Sequence, residues 1–232
     1  MSAQPSAVLL VHGAWHGSWV WERVVPLLEE RGLLVRTVDL PSVGAAPGVG
    51  ADLAGDAAVV SAALDSIDGS ALLCGHSYGG IVISAAAAGR SDVSRLVYLC
   101  AFMPGAGESL VALTGGKPAP WILPLDGGLT LPDPAQSADV FYADCDEETA
   151  HEAVARIKPM AGAPFGEPVA EPAWHDIPST YVVCTQDRAI PPELQRDVFA
   201  PRAGDVIELE ASHSPFFSQP AAVAALLAER AA

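Results

Sequence analysis

The pentapeptide Gly75-His76-Ser77-Tyr78-Gly79 constrains this chain more than any other feature of its sequence. The apolar run 71–74 precedes it and a helix-like run, 81–88, follows it, which places the serine at the apex of a tight strand-to-helix turn. A nucleophilic serine needs such a strained turn to project its hydroxyl clear of a sheet. Glycines on both sides remove side chains that would collide as the helix folds back. These flanks favour a nucleophile over the alternative, a glycine-rich loop whose serine caps the next helix.

Length and charge predict one domain spanning residues 1–232, with no nucleic acid and no membrane as partner. A chain of 232 residues can bury one substantial core, and no break in composition marks a second domain. The net charge of −16, from 12 Lys and Arg against 28 Asp and Glu, repels phosphate backbones and anionic lipids. Residues 1–5 contain no basic or long apolar segment, and no later run approaches the about 20 apolar residues of a spanning helix. We therefore expect a cytoplasmic protein.

The cysteines and histidines predict no metal site. The four cysteines form no C-x-x-C pair, and three of them lie in apolar, strand-like runs where cysteine behaves as a small hydrophobe. The six histidines are scattered, whereas a zinc site needs clustered ligands. We expect neither a metal nor another cofactor.

Strand-like and helical patterns alternate along most of the chain. This alternation predicts an α/β fold with a mostly parallel sheet of about six strands flanked by helices. The strands are predicted at 7–11, 33–40, 71–74, 93–101, 180–185 and 205–209, and the helices at 19–31, 51–67, 78–89, 192–199 and 220–231.

The segment 104–178 breaks the alternation and is predicted to be a cap, inserted after the strand that ends near Phe102. It contains 11 of the 20 prolines, and its apolar residues show no steady periodicity. One helix is predicted within it, because acidic residues at 146–148 precede basic residues at 156 and 158, as the helix dipole favours. Several residues are candidates for an apolar substrate pocket, with packing of the cap onto the core as the alternative for those in the cap: Gly13, Trp15, Phe102, Trp121, Leu123, Phe141, Tyr142 and Phe165.

Asp187 and His213 are the predicted partners of Ser77. Each follows a predicted strand, so the chain order serine, acid, histidine matches that of hydrolases built around such a turn. The histidine can take the serine proton through one ring nitrogen while the other donates to the aspartate. The competitors are placed less well, because they precede strands, lie in or near the cap, or lie within the turn itself: Asp176, Asp205, Glu108, His151, His175 and His76.

Two backbone N–H groups are predicted to form an oxyanion hole, which stabilises the charged tetrahedral intermediate. One belongs to Tyr78, the residue after the nucleophile, and the other to Ala14 in the loop 12–17 after the first strand. An ordinary strand-to-helix turn is the alternative for that loop. Its occurrence together with the serine turn, the acid and the histidine favours the catalytic interpretation.

With these residues identified, nearly the whole chain resembles the α/β-hydrolase superfamily. Within it, the chain is similar to the small branch that contains plant methyl-salicylate esterases, bacterial pyrethroid-type carboxylesterases and hydroxynitrile lyases. The matching stretches are 11–19, 75–80, 98–104, 183–191 and 212–215. The resemblance implies the α/β-hydrolase fold, with Ser77 as nucleophile, Asp187 as acid, His213 as base, and backbone donors at Ala14 and Tyr78.

The same resemblance favours hydrolysis over lyase chemistry. Lyases of this branch have a threonine at the position of Gly13 and a lysine at the position of Ser214, and both are absent here. We therefore expect a serine carboxylesterase that cleaves a small, largely apolar ester through an acyl-enzyme. A hydroxynitrile lyase-like or biosynthetic lyase or cyclase, and a small-molecule binding module, are the alternatives. The oligomeric state is left open, a homodimer included.

Overall fold

The computed structural model describes residues 6–231, and the N-terminal stretch 1–5, which was predicted to contain no targeting segment, lies outside the described residues. The strands are β1 (Ala7–Val11), β2 (Leu34–Val38), β3 (Ala71–His76), β4 (Val93–Leu99), β5 (Ile122–Leu125), β6 (Leu129–Pro132), β7 (Met160–Ala161), β8 (Ser179–Cys184) and β9 (Asp205–Leu209). The helices are α1 (Val25–Glu29), α2 (Leu53–Asp65), α3 (Gly79–Ala86), α4 (Leu110–Leu113), α5 (Pro134–Phe141), α6 (Glu147–Arg156), α7 (Ala163–Gly166), α8 (Pro192–Leu194), α9 (Pro215–Ser218) and α10 (Pro220–Ala231).

Six strands form a parallel sheet in the order β2-β1-β3-β4-β8-β9, which confirms the predicted fold class. Every residue of β1, β3 and β8 is buried, because helices cover both faces of the sheet. The edge strand β9 is mostly exposed. The uninterrupted apolar runs that predicted these strands are therefore a consequence of burial on both faces.

The strand order places several loops at one edge of this sheet. From β1 the chain goes outward to β2 and then returns to the other side of β1 as β3. At such a switch point the loops after the two central strands diverge and leave a crevice at their carboxyl ends. The loop 12–17 follows β1 and Ser77 follows β3, so both lie at this crevice.

The cap segment, residues 104–178, contains more structure than the one helix predicted. The predicted helix is present as α6, capped by Asp146, whose carboxylate accepts from Thr149 N–H at 2.8 Å. Antiparallel strands β5, β6 and β7 form a second sheet beside it. These strands are two to four residues long and two of them contain proline, so they give no periodic signal.

Two predicted helices are shorter or less regular than expected. The pattern over 19–31 divides into a 3-10 turn, Ser18–Trp21, and α1, because Pro26 lacks an N–H and fits only the first turn of a helix. The pattern over 192–199 begins as α8 and continues as a π-helical turn, Gln195–Phe199. No helix within residues 6–231 combines the length and the apolar character needed to cross a membrane.

Candidate active site

Ser77 lies at the apex of the turn between β3 and α3, with a φ of 54° that is costly for a residue with a side chain. The flanking glycines permit this turn. A Cβ on Gly75 would lie 2.6 Å from the carbonyl oxygen of Gly79, and a Cβ on Gly79 would lie 2.7 Å from that of His12. Backbone atoms cannot move aside as a flexible side chain can, so both positions require glycine. The serine side chain is thereby directed into the cavity below the cap segment.

Asp187 and His213 form a buried pair at the carboxyl ends of β8 and β9. The Nδ1 atom of His213 donates to Asp187 Oδ2 at 2.8 Å, and both side chains are almost inaccessible to solvent. The carboxylate also accepts from the N–H groups of Ala189 and Ile190, at 2.8 and 2.9 Å, and from Gln195 Nε2 at 2.9 Å. Four donors therefore fix the carboxylate that orients the imidazole.

Gln195 is a site residue that sequence reasoning missed. Its side chain is fully buried in the π-helical turn after α8, where Nε2 donates both to Asp187 and to the carbonyl of Ile190. Its Oε1 accepts from Cys184 N–H at 3.1 Å, at the end of β8. A glutamine within a helical pattern is most often a surface residue, so the sequence contains no signal for this position.

Ser77 and His213 line the same cavity. The His213 imidazole donates to Asp187 through Nδ1. The backbone carbonyl of His213 accepts from His76 Nε2 at 2.8 Å, and this bond attaches the histidine loop to the end of β3. Within residues 6–231, neither Ser77 Oγ nor His213 Nε2 is hydrogen-bonded to a protein group. Both atoms are therefore available to a molecule in the cavity and to each other.

The Gly13–Ala14 peptide is held from behind by His12. His12 Nδ1 donates to the Gly13 carbonyl at 2.8 Å, while Nε2 accepts from Leu40 N–H at 3.0 Å, which identifies the neutral tautomer. Burial lowers the pKa of His12 to about 4, so the ring is neutral at pH 7. Because N–H and C=O point in opposite directions in a trans peptide, the Ala14 N–H points away from His12.

The Ser77–Tyr78 peptide is held in the same way. The Ser77 carbonyl accepts from the N–H groups of Gly80 at 3.0 Å and Phe102 at 3.1 Å, so the Tyr78 N–H is directed oppositely. In the part of the chain that the structure describes, the N–H groups of Ala14 and Tyr78 have no acceptor. Two oriented, unpaired donors beside one serine are the arrangement that an oxyanion requires.

The Tyr78 side chain leads to a buried carboxylate that the sequence analysis did not single out. Its hydroxyl donates to Asp56 Oδ2 at 2.8 Å, and the same carboxylate accepts from Ser42 N–H at 3.0 Å and Ser42 Oγ at 2.6 Å. Burial raises the pKa of Asp56. A signal was present in the sequence, because Asp56 lies on the helical stripe with Leu53 and Val60 that α2 buries.

His16 joins the loop after β1 to the cap segment. Its Nδ1 donates to the Ala14 carbonyl and its Nε2 accepts from the Tyr142 hydroxyl, both at 2.6 Å. Burial lowers the pKa of His16 to about 3, which keeps the ring neutral. The Tyr142 hydroxyl is therefore hydrogen-bonded to the loop that contains Ala14, whereas the sequence predicts that Tyr142 lines the pocket.

The cavity beside Ser77 has apolar walls. The cavity and the solvent at its mouth together occupy about 510 Å³ of empty space. Thr114, Ser77 and His213 contribute small polar groups, while no Asp, Glu, Lys or Arg of the described chain lines it. The indole N–H of Trp15 is turned away and donates to Thr130 Oγ1 at 3.0 Å. The site therefore suits a neutral molecule.

The structure places some of the predicted pocket residues in this lining and others elsewhere. Those in the lining are Trp15, Phe102, Trp121, Phe141 and Phe165. Three are not in the lining: Gly13, Leu123 and Tyr142. Gly13 lies against the serine, since a Cβ there would be 2.8 Å from Ser77 Cβ. Leu123 is 39% exposed because side chains alternate along β5 and its neighbour Ile122 faces inward.

One group of side chains has the spacing of a metal site but not its chemistry. Potential ligand atoms of His76, Cys100 and His213 lie within 4.8 Å of one another. Burial raises the pKa of the Cys100 thiol, which keeps it protonated, whereas a metal needs the thiolate. The two imidazoles already donate to a carbonyl and to Asp187. His76 and Cys100 are therefore better explained as packing residues at the ends of β3 and β4, against the loop that contains His213.

Comparison with known proteins identifies relatives over the full fold. A family model described as "Alpha/beta hydrolase family" matches residues 8–226. A pyrethroid hydrolase from Sphingobium wenxiniae is 33% identical over 96% of this chain and 86% of that protein. Methylesterase 7 from Arabidopsis thaliana is 28% identical over 95% of this chain and 94% of that protein. The crystal structure of a pyrethroid hydrolase from Sphingobium faniae superposes with a TM-score of 0.85 at 29% identity, covering 97% of each chain.

Proposed function

Because this chain belongs to the alpha/beta hydrolase family, we propose that it is a serine esterase that hydrolyses small, neutral and largely apolar carboxylic esters. The observation that carries the proposal is the Asp187–His213 pair, bonded at 2.8 Å, whose histidine lines the same apolar cavity as Ser77 at its strained turn. Relatives named as a pyrethroid hydrolase and a methylesterase support the ester class.

The proposed reaction proceeds through an acyl-enzyme. Ser77 Oγ attacks the ester carbonyl while His213 Nε2 takes its proton, and the imidazolium is stabilised by Asp187. The carbon–oxygen bond to the alcohol breaks as His213 returns the proton to the leaving oxygen. Water then gives a proton to His213 and attacks the acyl-enzyme, and Ser77 recovers its proton as the acid leaves. The reaction needs no oxidant, reductant or second substrate other than water.

In this proposal, the N–H groups of Ala14 and Tyr78 stabilise the negative charge of the tetrahedral intermediates. Both tetrahedral intermediates place negative charge on the former carbonyl oxygen, and donors that are already oriented stabilise it without reorganisation. Removal of one such donor costs about 10²- to 10³-fold in kcat. The bonds that His12, Gly80 and Phe102 make to the carbonyls behind these donors are therefore part of the proposed site.

Two alternatives of different class have less support. A cyanohydrin lyase needs a cation for departing cyanide, and no Lys or Arg within residues 6–231 lines the cavity. Position 214 has a fully buried serine in place of a lysine. A small-molecule binding module would not need an oriented histidine–aspartate pair beside a strained serine.

The proposal is tested by covalent labelling together with turnover. We expect a fluorophosphonate to label Ser77, and Ser77→Ala to remain folded by circular dichroism but lose hydrolysis of short aryl esters. A folded protein that is not labelled at Ser77 would favour the binding module. Cleavage of mandelonitrile faster than of aryl esters would favour the lyase. A panel of neutral esters, thioesters and lactones then identifies the preferred acyl and alcohol groups.

A further inference from the structure

The carboxylate of Asp144, in the cap segment between α5 and α6, reaches the loop that contains His213. Ser212 donates to it twice, from its backbone N–H at 2.9 Å and from its hydroxyl, and Ser218 Oγ donates to it at 2.8 Å. Ser212 is the residue before His213, and Ser218 is the last residue of α9, which follows it. One side chain of the cap segment therefore binds the histidine loop on both sides of the imidazole.

The donors on this loop depend on Asp144 for their partner. Ser212 is fully buried in the folded protein, so the Asp144 carboxylate, and not bulk water, satisfies its N–H. Among the residues described, this N–H has no other acceptor, and the hydroxyl has only the distant carbonyl of Phe141, at 3.5 Å. A buried donor without an acceptor is costly, so the loop would shift to satisfy it. Such a shift would move His213 relative to Ser77.

Attachment of the cap segment alone does not explain this carboxylate. The cap segment is bound to the rest of the chain at other points, by the N–H of Ala161 to the Ser42 carbonyl and by the N–H of Lys158 to the Trp15 carbonyl, each at 2.9 Å. None of these bonds reaches the histidine loop. Asp144 thus makes a contact that is specific to the segment around His213.

We propose that Asp144 is a positioning residue for the proton relay: by binding Ser212 and Ser218 it holds the loop that places His213 against Ser77. The inference rests on the proposed function, because it concerns how the same histidine acts as a base. The cap segment then contributes to the rate of the chemical step as well as to the walls of the cavity. Asp144 acts through the loop and does not touch the substrate.

The chain offers a matched control two residues away. Asp146 accepts from the N–H and the hydroxyl of Thr149, both at 2.8 Å, as Asp144 accepts from those of Ser212, but Thr149 lies within the cap segment. Asp144→Ala and Asp146→Ala therefore each remove a carboxylate of the cap segment that accepts from the N–H and the hydroxyl of one residue. The second variant loses a helix cap, which lowers the melting temperature. Only the first removes direct hydrogen bonds to Ser212 and Ser218.

Three quantities are measured for each variant: kcat and KM for hydrolysis of a short aryl ester, the rate of fluorophosphonate labelling, and the melting temperature. For Asp144→Ala we expect kcat and the labelling rate to fall about 10- to 100-fold with little change in KM, as for a misplaced catalytic group. For Asp146→Ala we expect a lower melting temperature and a kcat within about threefold of the wild type. Asp144→Asn, which keeps one acceptor oxygen for Ser212 N–H, should recover part of the loss.

Equal kcat values in Asp144→Ala and Asp146→Ala would overturn the inference. If Asp144→Ala does not fold, the comparison moves to Asp144→Asn against Asp146→Asn, where equal kcat values again overturn it. Ser77→Ala is measured alongside. Should Ser77→Ala keep its ester turnover, the proposed function fails; should it be inactive while the Asp144 variants match their controls, only the positioning role fails.

Discussion

At the residue scale, the candidate site depends on groups that hold other groups in place. His12 and the N–H groups of Gly80 and Phe102 bind the carbonyls behind the two candidate oxyanion donors. Gln195 binds the carboxylate behind His213. These hydrogen bonds fix the direction of the two candidate donors and of the Asp187–His213 pair, so they act through neighbouring groups. Small changes behind the cavity should therefore affect turnover more than binding.

Gly13→Ala tests this expectation at the position where space is most limited. The new Cβ would lie 2.8 Å from Ser77 Cβ and 3.0 Å from His76 Nδ1, so the serine or the loop with Ala14 must move. We expect kcat/KM for an aryl ester to fall by about 10²-fold, the effect of a misplacement of about 1 Å. Gly166→Ala is the control, since it ends α7 with no neighbouring atom within 4 Å. Wild-type kcat/KM in Gly13→Ala would contradict the close packing.

Sequence patterns predict the proposed catalytic residues better than the residues that support them. The turn around Ser77 is a local motif, and Asp187 and His213 follow strands in a fixed order, so all three could be named without coordinates. The structure brings the aspartate and histidine into contact and the serine to their cavity. Gln195 and Asp144 act through side-chain hydrogen bonds that depend on the folded arrangement and leave no pattern in the chain.

At the scale of elements, the strands of the main sheet could be predicted from the sequence, whereas the cap segment could not, apart from α6. Strands such as β1 and β3 are buried on both faces and therefore show continuous apolar runs. In the cap segment, β5 and β6 are four residues long and contain Pro124 and Pro132, and their pairing depends on tertiary contacts. Leu123 was predicted in the pocket but lies outside the cavity lining, because alternation along β5 turns Ile122 inward and Leu123 outward, and no signal in the sequence marks that strand.

The apolar side chains that the cap segment contributes to the cavity are expected to favour neutral esters over charged ones. They are Leu110, Trp121, Ile122, Phe141 and Phe165, and an ionised group there would lose water without gaining a partner. We expect a methyl ester with a neutral alkyl end to exceed the ester of equal length that ends in a carboxylate by about 100-fold in kcat/KM. This ratio corresponds to about 2.7 kcal/mol, near the upper end of the cost of burying an unpaired polar group. Equal values for the two esters would contradict a closed apolar site.

At the scale of the whole molecule, several buried histidines are kept neutral by the fold. Burial lowers the pKa of His12 to about 4 and of His16 to about 3, and it lowers that of His76 well below its ordinary value of 6.5. The unfolded chain therefore binds protons to these residues at a higher pH than the native protein does. Their contribution to the free energy of unfolding is fully present above about pH 6.5 and decreases as the pH falls toward 4 and below. Asp56, whose pKa is raised, acts in the opposite direction.

His16→Asn isolates one part of this dependence. The amide can accept from Tyr142 and donate to the Ala14 carbonyl as the imidazole does, but it does not titrate. We expect the slope of the unfolding free energy between about pH 6 and pH 4 to decrease by up to about 1.4 kcal/mol per pH unit, measured by urea denaturation. His151→Asn, which replaces an exposed histidine, is the control. An unchanged slope in His16→Asn would mean that this ring is protonated in the native protein.

The stretch that ends α5 has a consequence for engineering. Within four residues, Phe141 lies 5.7 Å from the His213 ring, Tyr142 bonds to His16, and Asp144 bonds to Ser212. Exchanging the cap segment of one hydrolase for that of another is one way to alter substrate selectivity. A chimera of this protein would have to keep residues 141–144 or residues that make the same contacts. A cap segment chosen only for its shape would leave His16 without Tyr142 and Ser212 without Asp144 as hydrogen-bond partners.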